Sequence, residues 1–564
     1  MRLGRRDGAP SAAKLPLFRM FPIRPKIRAM GESRFDYIIV GAGSAGCVLA
    51  NRLSADAGRS VLLLEAGPPD RYPWIHIPIG YAKTMFNPRV NWCFYTEPEP
   101  GMNGRRIYWP RGKTLGGSSS INGLISVRGQ REDYDRWAAA GNAGWSFAEV
   151  LPCFKRLEHA VGGDPAYHGV DGPLWRSPIT TRHELIDAVI AAGEELGLPR
   201  NDDFDGARQE GVGYYHLTTR RGWRCSTASA YLAPVRKRRN LRVETQARAA
   251  RVLLDGRRAC GVAYRDRAGE KLARAEREVI LCAGALQSPQ LLQLSGVGPA
   301  ALLEPFGIAV RHPLPGVGEN LQDHLQARVI FECTRPITTN DELKSWWGTL
   351  KIGLQYALTR GGPMAIGINQ GGIFARVDAA STTPDVQFHV ATLSSDMAGS
   401  PTHRFPAFTF SVCQLRPQSR GSVRIKSADP FEAPAMRPNY LAARHDRDTL
   451  IAGIRLARQL AATRALSPYV RREYRPGAEA ASDGAVLEFA KNTAGTIFHP
   501  SGTCKMGPAG DPMAVVDARL RVHGVEGLRV VDASIMPTLT SGNTNVPVVM
   551  IAEKASDMIL EDER

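Results

Sequence analysis

The sequence predicts an α/β protein with a parallel, Rossmann-like sheet and a second region of α+β structure that contains an antiparallel sheet. The first observation is an apolar, strand-like run at 35–40 that leads directly into a glycine-rich turn and a helical segment. The second is an often alternating apolar pattern between about 326 and 498, for example at 408–415. A chain of 564 residues also exceeds what one core usually supports. We therefore expect two domains.

The glycine turn after the first strand predicts a dinucleotide site. Gly41 permits the sharp turn, Gly43 lets the backbone approach a pyrophosphate, and Gly46 lets the helix pack against the strand. The pyrophosphate would lie at the positive end of the helix. A second apolar run at 60–64 ends at Glu65, about 20 residues after Gly46, where a carboxylate can bind ribose hydroxyls. An adenine dinucleotide without a 2′-phosphate is expected, and flavin and nicotinamide both remain open at this point.

The formal charge of +17 does not by itself indicate a nucleic-acid partner, because much of the excess lies in the first 28 residues. We expect residues 1–33 to form a basic leader that is either unstructured or follows from a mis-assigned start, with Met30 as the alternative first residue. A transit peptide is the other interpretation. No nucleic-acid partner is expected for the remainder of the chain.

The nine cysteines are dispersed and form no C-x-x-C pair, a pattern typical of reduced thiols. No metal-binding spacing of cysteine or histidine is present, so no metal is expected. No apolar run reaches the ~18 residues that a transmembrane helix needs. These features predict a cytoplasmic location, with peripheral membrane attachment left open.

Later segments of the chain carry further motifs. They are R-G-K-T-L-G-G-S-S-S-I-N-G at 111–123, G-A-L-Q-S-P-Q-L-L-Q-L-S-G-V-G at 284–298, F-H-P-S-G-T-C-K-M-G at 498–507, V-D-A-S-I-M-P at 531–537 and G-N-T-N-V-P at 542–547. Together with the first glycine turn, they resemble the glucose–methanol–choline (GMC) oxidoreductases, in particular the choline-dehydrogenase-like branch. The resemblance extends from residue 35 to the C-terminus.

This resemblance implies an FAD-binding domain assembled from residues 34–325 and 499–564, and a substrate-binding domain at 326–498. It places Ser118 and Asn122 along the flavin, Ala249 near the adenine and Asp532 near the diphosphate. The full set of expected FAD-binding residues is Gly41, Gly43, Ser44, Ala45, Gly46, Glu65, Ala66, Gly116, Gly117, Ser118, Asn122, Ala249, Asp532, Ala533, Asn545 and Val546. Some relatives carry a histidine bonded to FAD at the position of Ile121, and isoleucine cannot form that bond. Non-covalent FAD is therefore expected.

The resemblance also implies that His499 and Asn543 are the catalytic pair. A histidine with an ordinary pKa near ~6.5 can take the hydroxyl proton of an alcohol near neutral pH, and the flavin can take the hydride. Asn543 can hydrogen-bond the developing alkoxide, and Asn545 is the alternative for this role. The run at 546–559 predicts a helix with a proline in its first turn, which would place a positive helix end near the flavin.

The substrate is expected to be an uncharged primary alcohol. Choline-oxidising relatives hold a glutamate at the position of Gln326, and a neutral glutamine cannot pair with a quaternary ammonium. Trp346 and Trp347 could add aromatic faces to the pocket, but core or rim positions are the more usual ones. The alternatives are choline oxidation proper, an O2-using alcohol oxidase, lyase or photodecarboxylase chemistry, and a non-catalytic FAD-binding protein. A quinone or another carrier is the expected electron acceptor, with O2 as the alternative.

Overall fold

The computed structural model describes residues 33–397 and 399–563, so most of the predicted basic leader lies outside the described residues. Two large sheets organise this part of the chain. Their strands, in chain order, are β1 Ser33–Val40, β2 Val61–Glu65, β3 Gly211–Tyr214, β4 Leu241–Thr245, β5 Arg248–Asp255, β6 Arg258–Asp266, β7 Gly269–Leu281, β8 Leu325–Cys333, β9 Asn369–Ala375, β10 Val386–Ala391, β11 Ala407–Gln414, β12 Val470–Arg475, β13 Gly495–Thr496 and β14 Leu528–Val530.

The longer helices flank these sheets. They are α1 Ser44–Leu53, α2 Arg131–Ala139, α3 Phe147–Leu157, α4 Glu184–Glu195, α5 Gly284–Leu294, α6 Trp346–Thr359, α7 Arg444–Ala462, α8 Asp483–Thr493 and α9 Asn545–Asp562. Helix α9 confirms the helix predicted after Asn543, with Pro547 in its first turn. Among the described residues, no helix combines the length and the apolar character needed to cross a bilayer.

The first sheet has the order β4-β2-β1-β7-β6-β5, and β14 also pairs with β7. Strands β4, β2, β1, β7 and β14 are parallel, whereas β5 and β6 join in antiparallel pairing. The central strands are buried on both faces, which explains their continuous apolar sequence. Helix α1 packs against α9 beside this sheet, and an Arg52–Glu553 ion pair at 2.7 Å links the two helices. The predicted strand–turn–helix–strand unit is confirmed.

The second sheet has the order β12-β8-β11-β10-β9-β3, with β13 also paired to β8, and its strands are antiparallel. Strand β11 shows why the sequence alternates. Phe408, Phe410 and Val412 are fully or almost fully buried, and Val412 lies against helix α7. Thr409 and Ser411 on the opposite face line an internal cavity rather than bulk solvent. The predicted α/β fold with an added antiparallel sheet is confirmed.

Distant parts of the chain meet where the two sheets approach each other. Strand β3 comes from within 34–325 but forms an edge of the second sheet, whereas β14 and α9 return to the first sheet from the C-terminal segment. The boundaries at 325/326 and 498/499 remain predictions. Strand β13, immediately before His499, pairs with the start of β8 and thereby brings the C-terminal segment to the second sheet.

Candidate active site

A continuous cavity of about 820 Å³ lies between the two sheets. Most of the predicted site residues line it: Gly41, Gly43, Ser44, Ala45, Glu65, Ala66, Gly117, Ser118, Asn122, Ala249, His499, Asp532, Ala533, Asn543 and Asn545. Three predicted cofactor residues, Gly46, Gly116 and Val546, do not line the cavity. The structure therefore brings the separated motifs of the sequence to one internal site, and the three exceptions lie behind its wall.

The glycine turn has the shape that its sequence predicts. Gly41 adopts φ +103°, a conformation that favours glycine. A Cβ atom on Gly46 would lie 1.9 Å from the carbonyl oxygen of Gly41, so the helix can approach the strand only with glycine there. A Cβ atom on Gly43 would come no closer than 3.9 Å to any protein atom outside its immediate neighbours. Packing within the protein therefore does not require glycine at position 43; the missing side chain instead leaves space in the cavity.

Two buried carboxylates, Glu65 and Asp532, line the cavity. Glu65 accepts hydrogen bonds from the backbone N–H groups of Ala42 at 3.0 Å and Gly67 at 2.8 Å, and burial raises the pKa of Glu65 to about 7. Asp532 accepts hydrogen bonds from the N–H of Gly284 and the hydroxyl of Ser288, and burial raises its pKa. Both side chains are held rigidly by these bonds.

His499 and Asn543 lie beside each other in the wall of the cavity. The amide Nδ2 of Asn543 is 3.3 Å from Nε2 of His499, and Gln387 donates a hydrogen bond to Oδ1 of Asn543 at 3.2 Å. Because the amide oxygen receives this bond, the N–H of Asn543 is turned toward the histidine. Asn545 instead accepts a hydrogen bond from the Ser44 hydroxyl at 2.8 Å.

A second histidine determines which nitrogen of His499 carries the proton. His324 Nε2 lies 2.9 Å from the carbonyl oxygen of Leu415, which can only accept, so Nε2 must be the protonated nitrogen. In the neutral ring Nδ1 is then an acceptor, and it lies 2.9 Å from Nδ1 of His499. His499 therefore donates from Nδ1, and its Nε2 is unprotonated and accepts from the Asn543 amide.

Burial keeps these imidazoles neutral. Burial lowers the pKa of His499 well below its usual value, and the nearby His324, His389 and Arg111 lower it further. Burial likewise lowers the pKa of His324 to about 4 and that of His389 to about 4. At neutral pH His499 is consequently an unprotonated base, which is the state that proton abstraction requires.

The backbone around His499 is held by Asp323. This carboxylate accepts hydrogen bonds from the N–H of His499 at 2.7 Å, from the Thr496 hydroxyl at 2.5 Å and from the Tyr440 hydroxyl, while burial raises its pKa to about 6. The preceding residue, Phe498, has φ +73°, which is unusual for a bulky residue. Its carbonyl oxygen accepts a hydrogen bond from Arg111 at 2.5 Å. Asp323 and Arg111 therefore hold the strained turn through hydrogen bonds to its N–H and carbonyl groups, and the turn directs His499 into the cavity.

Sequence reasoning missed His324, Asp323 and His389. In the segment 320–326 the sequence singles out only Gln326, whereas His324 directly precedes the strand that carries Gln326. Trp346 and Trp347 do not line the cavity; they stack at 3.7 Å between ring centroids, and each is 64% exposed. No group of side chains suited to a metal ion occurs in the described ranges.

Known proteins share this arrangement of segments. Residues 35–326 match the N-terminal and residues 417–552 the C-terminal family model described as GMC oxidoreductase. The chain is 44% identical to the mitochondrial choline dehydrogenase of Mus musculus, over 95% of this chain and 91% of that protein. It is 43% identical to an alcohol dehydrogenase [acceptor] of Pseudomonas putida, over 93% and 96%. A solved structure of formate oxidase from Aspergillus oryzae RIB40, a protein with FAD modification, aligns with a TM-score of 0.88 at 27% identity and covers 95% of this chain and 99% of that one.

Proposed function

Because the chain belongs to the GMC oxidoreductase family, we propose that it is an FAD-dependent enzyme that oxidises a primary alcohol to the aldehyde, with His499 as the general base. The observation that carries this proposal is the hydrogen-bonded series Leu415–His324–His499, which leaves Nε2 of His499 unprotonated beside the Asn543 amide. A base and an alkoxide-binding N–H group at one point of a cavity are the protein groups that alcohol oxidation needs.

The cavity fits FAD. The open face of Gly43 admits a pyrophosphate at the start of α1, Glu65 suits the ribose hydroxyls, and Ser118 and Asn122 line the same cavity as His499. When bound, the flavin supplies the acceptor for the hydride of the alcohol. Ile121 lines the cavity at the position where some relatives attach FAD, and its side chain has no group that can form such a bond. We propose that FAD is held without a covalent link.

The protein groups divide the proton chemistry between them. Nε2 of His499 takes the hydroxyl proton, and the Asn543 N–H stabilises the alkoxide without adding a full charge. His324 accepts the Nδ1–H of His499 before and after this transfer, so the ring need not turn. Burial of both rings keeps bulk water from competing for the proton.

Choline oxidation is the second candidate, and relatives named choline dehydrogenase favour it. Two side chains oppose it. Gln326 lines the cavity as a neutral amide, and Arg328 lines it as a cation, so neither attracts a quaternary ammonium. We therefore propose an alcohol without a positive charge.

An apolar stripe on α6 favours a lipid-borne electron acceptor, such as a quinone, over O2. Trp347, Leu350, Leu354 and Leu358 follow one another at helical spacing and are between 52% and 76% exposed. The helix has no acidic residue and carries Lys351, while Ile352 on its other side lines the cavity. Lys351 borders the stripe, and exposed tryptophan and leucine with a flanking lysine suit a helix that lies in a membrane interface. We propose peripheral membrane attachment through α6.

The role of His499 is tested by the variant His499→Ala. We expect the rate of anaerobic flavin bleaching by a primary alcohol to fall roughly 10²-fold or more, because the base is lost. Flavin content of the purified variant serves as the control for folding. A variant that retains FAD and is reduced at the wild-type rate would remove His499 from this role.

A further inference from the structure

Arg328 is a cation in the cavity wall that has no partner in the described part of the chain. It lies on β8 two residues after Gln326, and both side chains line the cavity from the same face of the strand. No described residue forms a hydrogen bond or an ion pair with its guanidinium. Arg111, which also lines the cavity, instead donates to the carbonyl oxygens of Pro110 and Phe498.

The surroundings of Arg328 supply no negative charge. Among the described residues, Glu65 and Asp532 are the acidic side chains that line the cavity, and in the proposed function both lie beside the FAD. The cavity-lining side chains on the neighbouring strand are neutral: Ser411 is the residue opposite Arg328 on β11, and Thr409 lies two residues before it on the same face. Burial lowers the pKa of Arg328, yet a guanidinium in a protein stays protonated.

An unpaired buried charge is unfavourable unless a ligand completes it. A guanidinium presents several N–H donors in one plane, a geometry that matches a carboxylate with two parallel hydrogen bonds. Such a pair is stronger inside a protein cavity than in bulk water, because the local dielectric is lower. The unpaired Arg328 guanidinium therefore makes this part of the cavity wall suited to binding an anion.

We propose that Arg328 binds a carboxylate of the alcohol substrate, so that the preferred substrates are hydroxy acids whose carboxylate is remote from the carbinol carbon. This rests on the proposed function. His324, which contacts His499, directly precedes strand β8, and Arg328 lies four residues further along the chain, so extended backbone places their Cα atoms roughly 13 Å apart. An ω-hydroxy acid can span this distance, whereas an α-hydroxy acid cannot.

The test uses the FAD-loaded full chain and anaerobic flavin bleaching. Short, medium and long ω-hydroxy acids are compared with n-alkanols of equal length in the wild type and in Arg328→Met and Arg328→Lys. We expect the wild type to show a half-saturating concentration roughly 10-fold or more lower for the matching hydroxy acid than for the alkanol. In Arg328→Met the half-saturating concentration for the hydroxy acid should rise to that for the alkanol, and Arg328→Lys should retain part of the difference. Arg335→Met, an exposed arginine just beyond β8, is the matched control and should behave as the wild type.

A second readout separates this inference from the proposed function. Hexanoate has the carboxylate but no hydroxyl, so it can occupy the subsite and perturb the flavin absorbance without being oxidised. Perturbation in the wild type that is lost in Arg328→Met supports the subsite even if no alcohol reduces the flavin, an outcome that would reject only the proposed oxidation. Equal half-saturation for acids and alkanols together with no hexanoate effect overturns the inference, as does a loss of FAD from Arg328→Met.

Discussion

At the scale of single residues, the protonation of His499 depends on a neighbour that does no chemistry itself. His324 can hold its Nδ1 as an acceptor only because its other nitrogen donates to the Leu415 carbonyl oxygen. Burial also lowers the pKa of both rings, so both imidazoles are neutral at neutral pH. The proton of His499 is therefore held on Nδ1, and Nε2 is unprotonated, before a substrate enters.

The variants His324→Leu and His324→Asn test this role. Leucine removes the acceptor for the Nδ1–H of His499, and we expect flavin reduction to slow by roughly 10²-fold because the proton can then occupy Nε2. Asparagine keeps an oxygen close to the position of the lost Nδ1 and should retain most of the rate. The measurement is the limiting rate of anaerobic reduction as a function of pH.

The pH profile has an expected sign. Since the pKa of His499 is lowered, the wild-type rate should stay constant as the pH falls through ~6.5 and decline only at more acidic values. Equal rates for His324→Leu and the wild type over the whole pH range would show that His324 does not position the base.

The sequence predicted His499 and Asn543 but not their support. The pair lies within motifs that the family resemblance identifies, so no knowledge of the fold was needed. The contact between His324 and His499 instead depends on how β13 pairs with β8, and Asp323 reaches the N–H of His499 through the same pairing. Pairing between strands so far apart in the chain leaves no local signal.

At the scale of elements, the turn between β1 and α1 separates packing from ligand binding. Gly46→Ala places a methyl group against the Gly41 carbonyl oxygen, and we expect the unfolding free energy of the FAD-free protein to fall by about 1–3 kcal/mol or more. Gly43→Ala places its methyl group no closer than 3.9 Å to another protein atom and should leave that stability nearly unchanged, but the methyl group should weaken FAD binding. Thermal unfolding and FAD titration measure the two effects. Unimpaired FAD binding by Gly43→Ala would contradict the assigned position of the pyrophosphate.

Helix α6 offers a second test at this scale. The double change Leu350→Glu with Leu354→Glu puts two acids on the exposed stripe, and we expect a several-fold or greater loss of cosedimentation with vesicles of phosphatidylcholine and phosphatidylglycerol. Val170→Glu, at a side chain that is 59% exposed elsewhere on the surface, is the matched control. If the wild type instead forms a dimer that the double change disrupts and does not bind vesicles, the stripe is a protein interface.

Local elements were predictable and their assembly was less so. The run 35–65 specifies its own strand, turn, helix and strand because hydrophobic period and glycine positions act within a few residues. The alternation at 408–415 predicted a strand, but its polar face lines a cavity and not solvent. Nothing in the short run 211–214 indicates that β3 completes an edge of the distant second sheet.

At the scale of the whole molecule, function depends on two sheets meeting around one cavity. Gly43 and Glu65 line the cavity beside the first sheet, and Gln326 and Arg328 line it from strand β8 of the second. His499 joins them from the C-terminal segment, and His324, the residue before β8, contacts it. In the proposed function, one stretch of chain therefore orients the base and also carries the side chains that select the alcohol.

The most direct test of the central claim is anaerobic reduction of the FAD-loaded protein by a panel of primary alcohols that includes choline. We predict bleaching of the flavin band by primary alcohols without a positive charge, with choline reacting poorly because Gln326 and Arg328 offer it no anion. A flavin band that no primary alcohol bleaches would contradict alcohol oxidation by this protein. If choline bleached the flavin with a lower half-saturating concentration than the other alcohols of the panel, the substrate assignment would be contradicted.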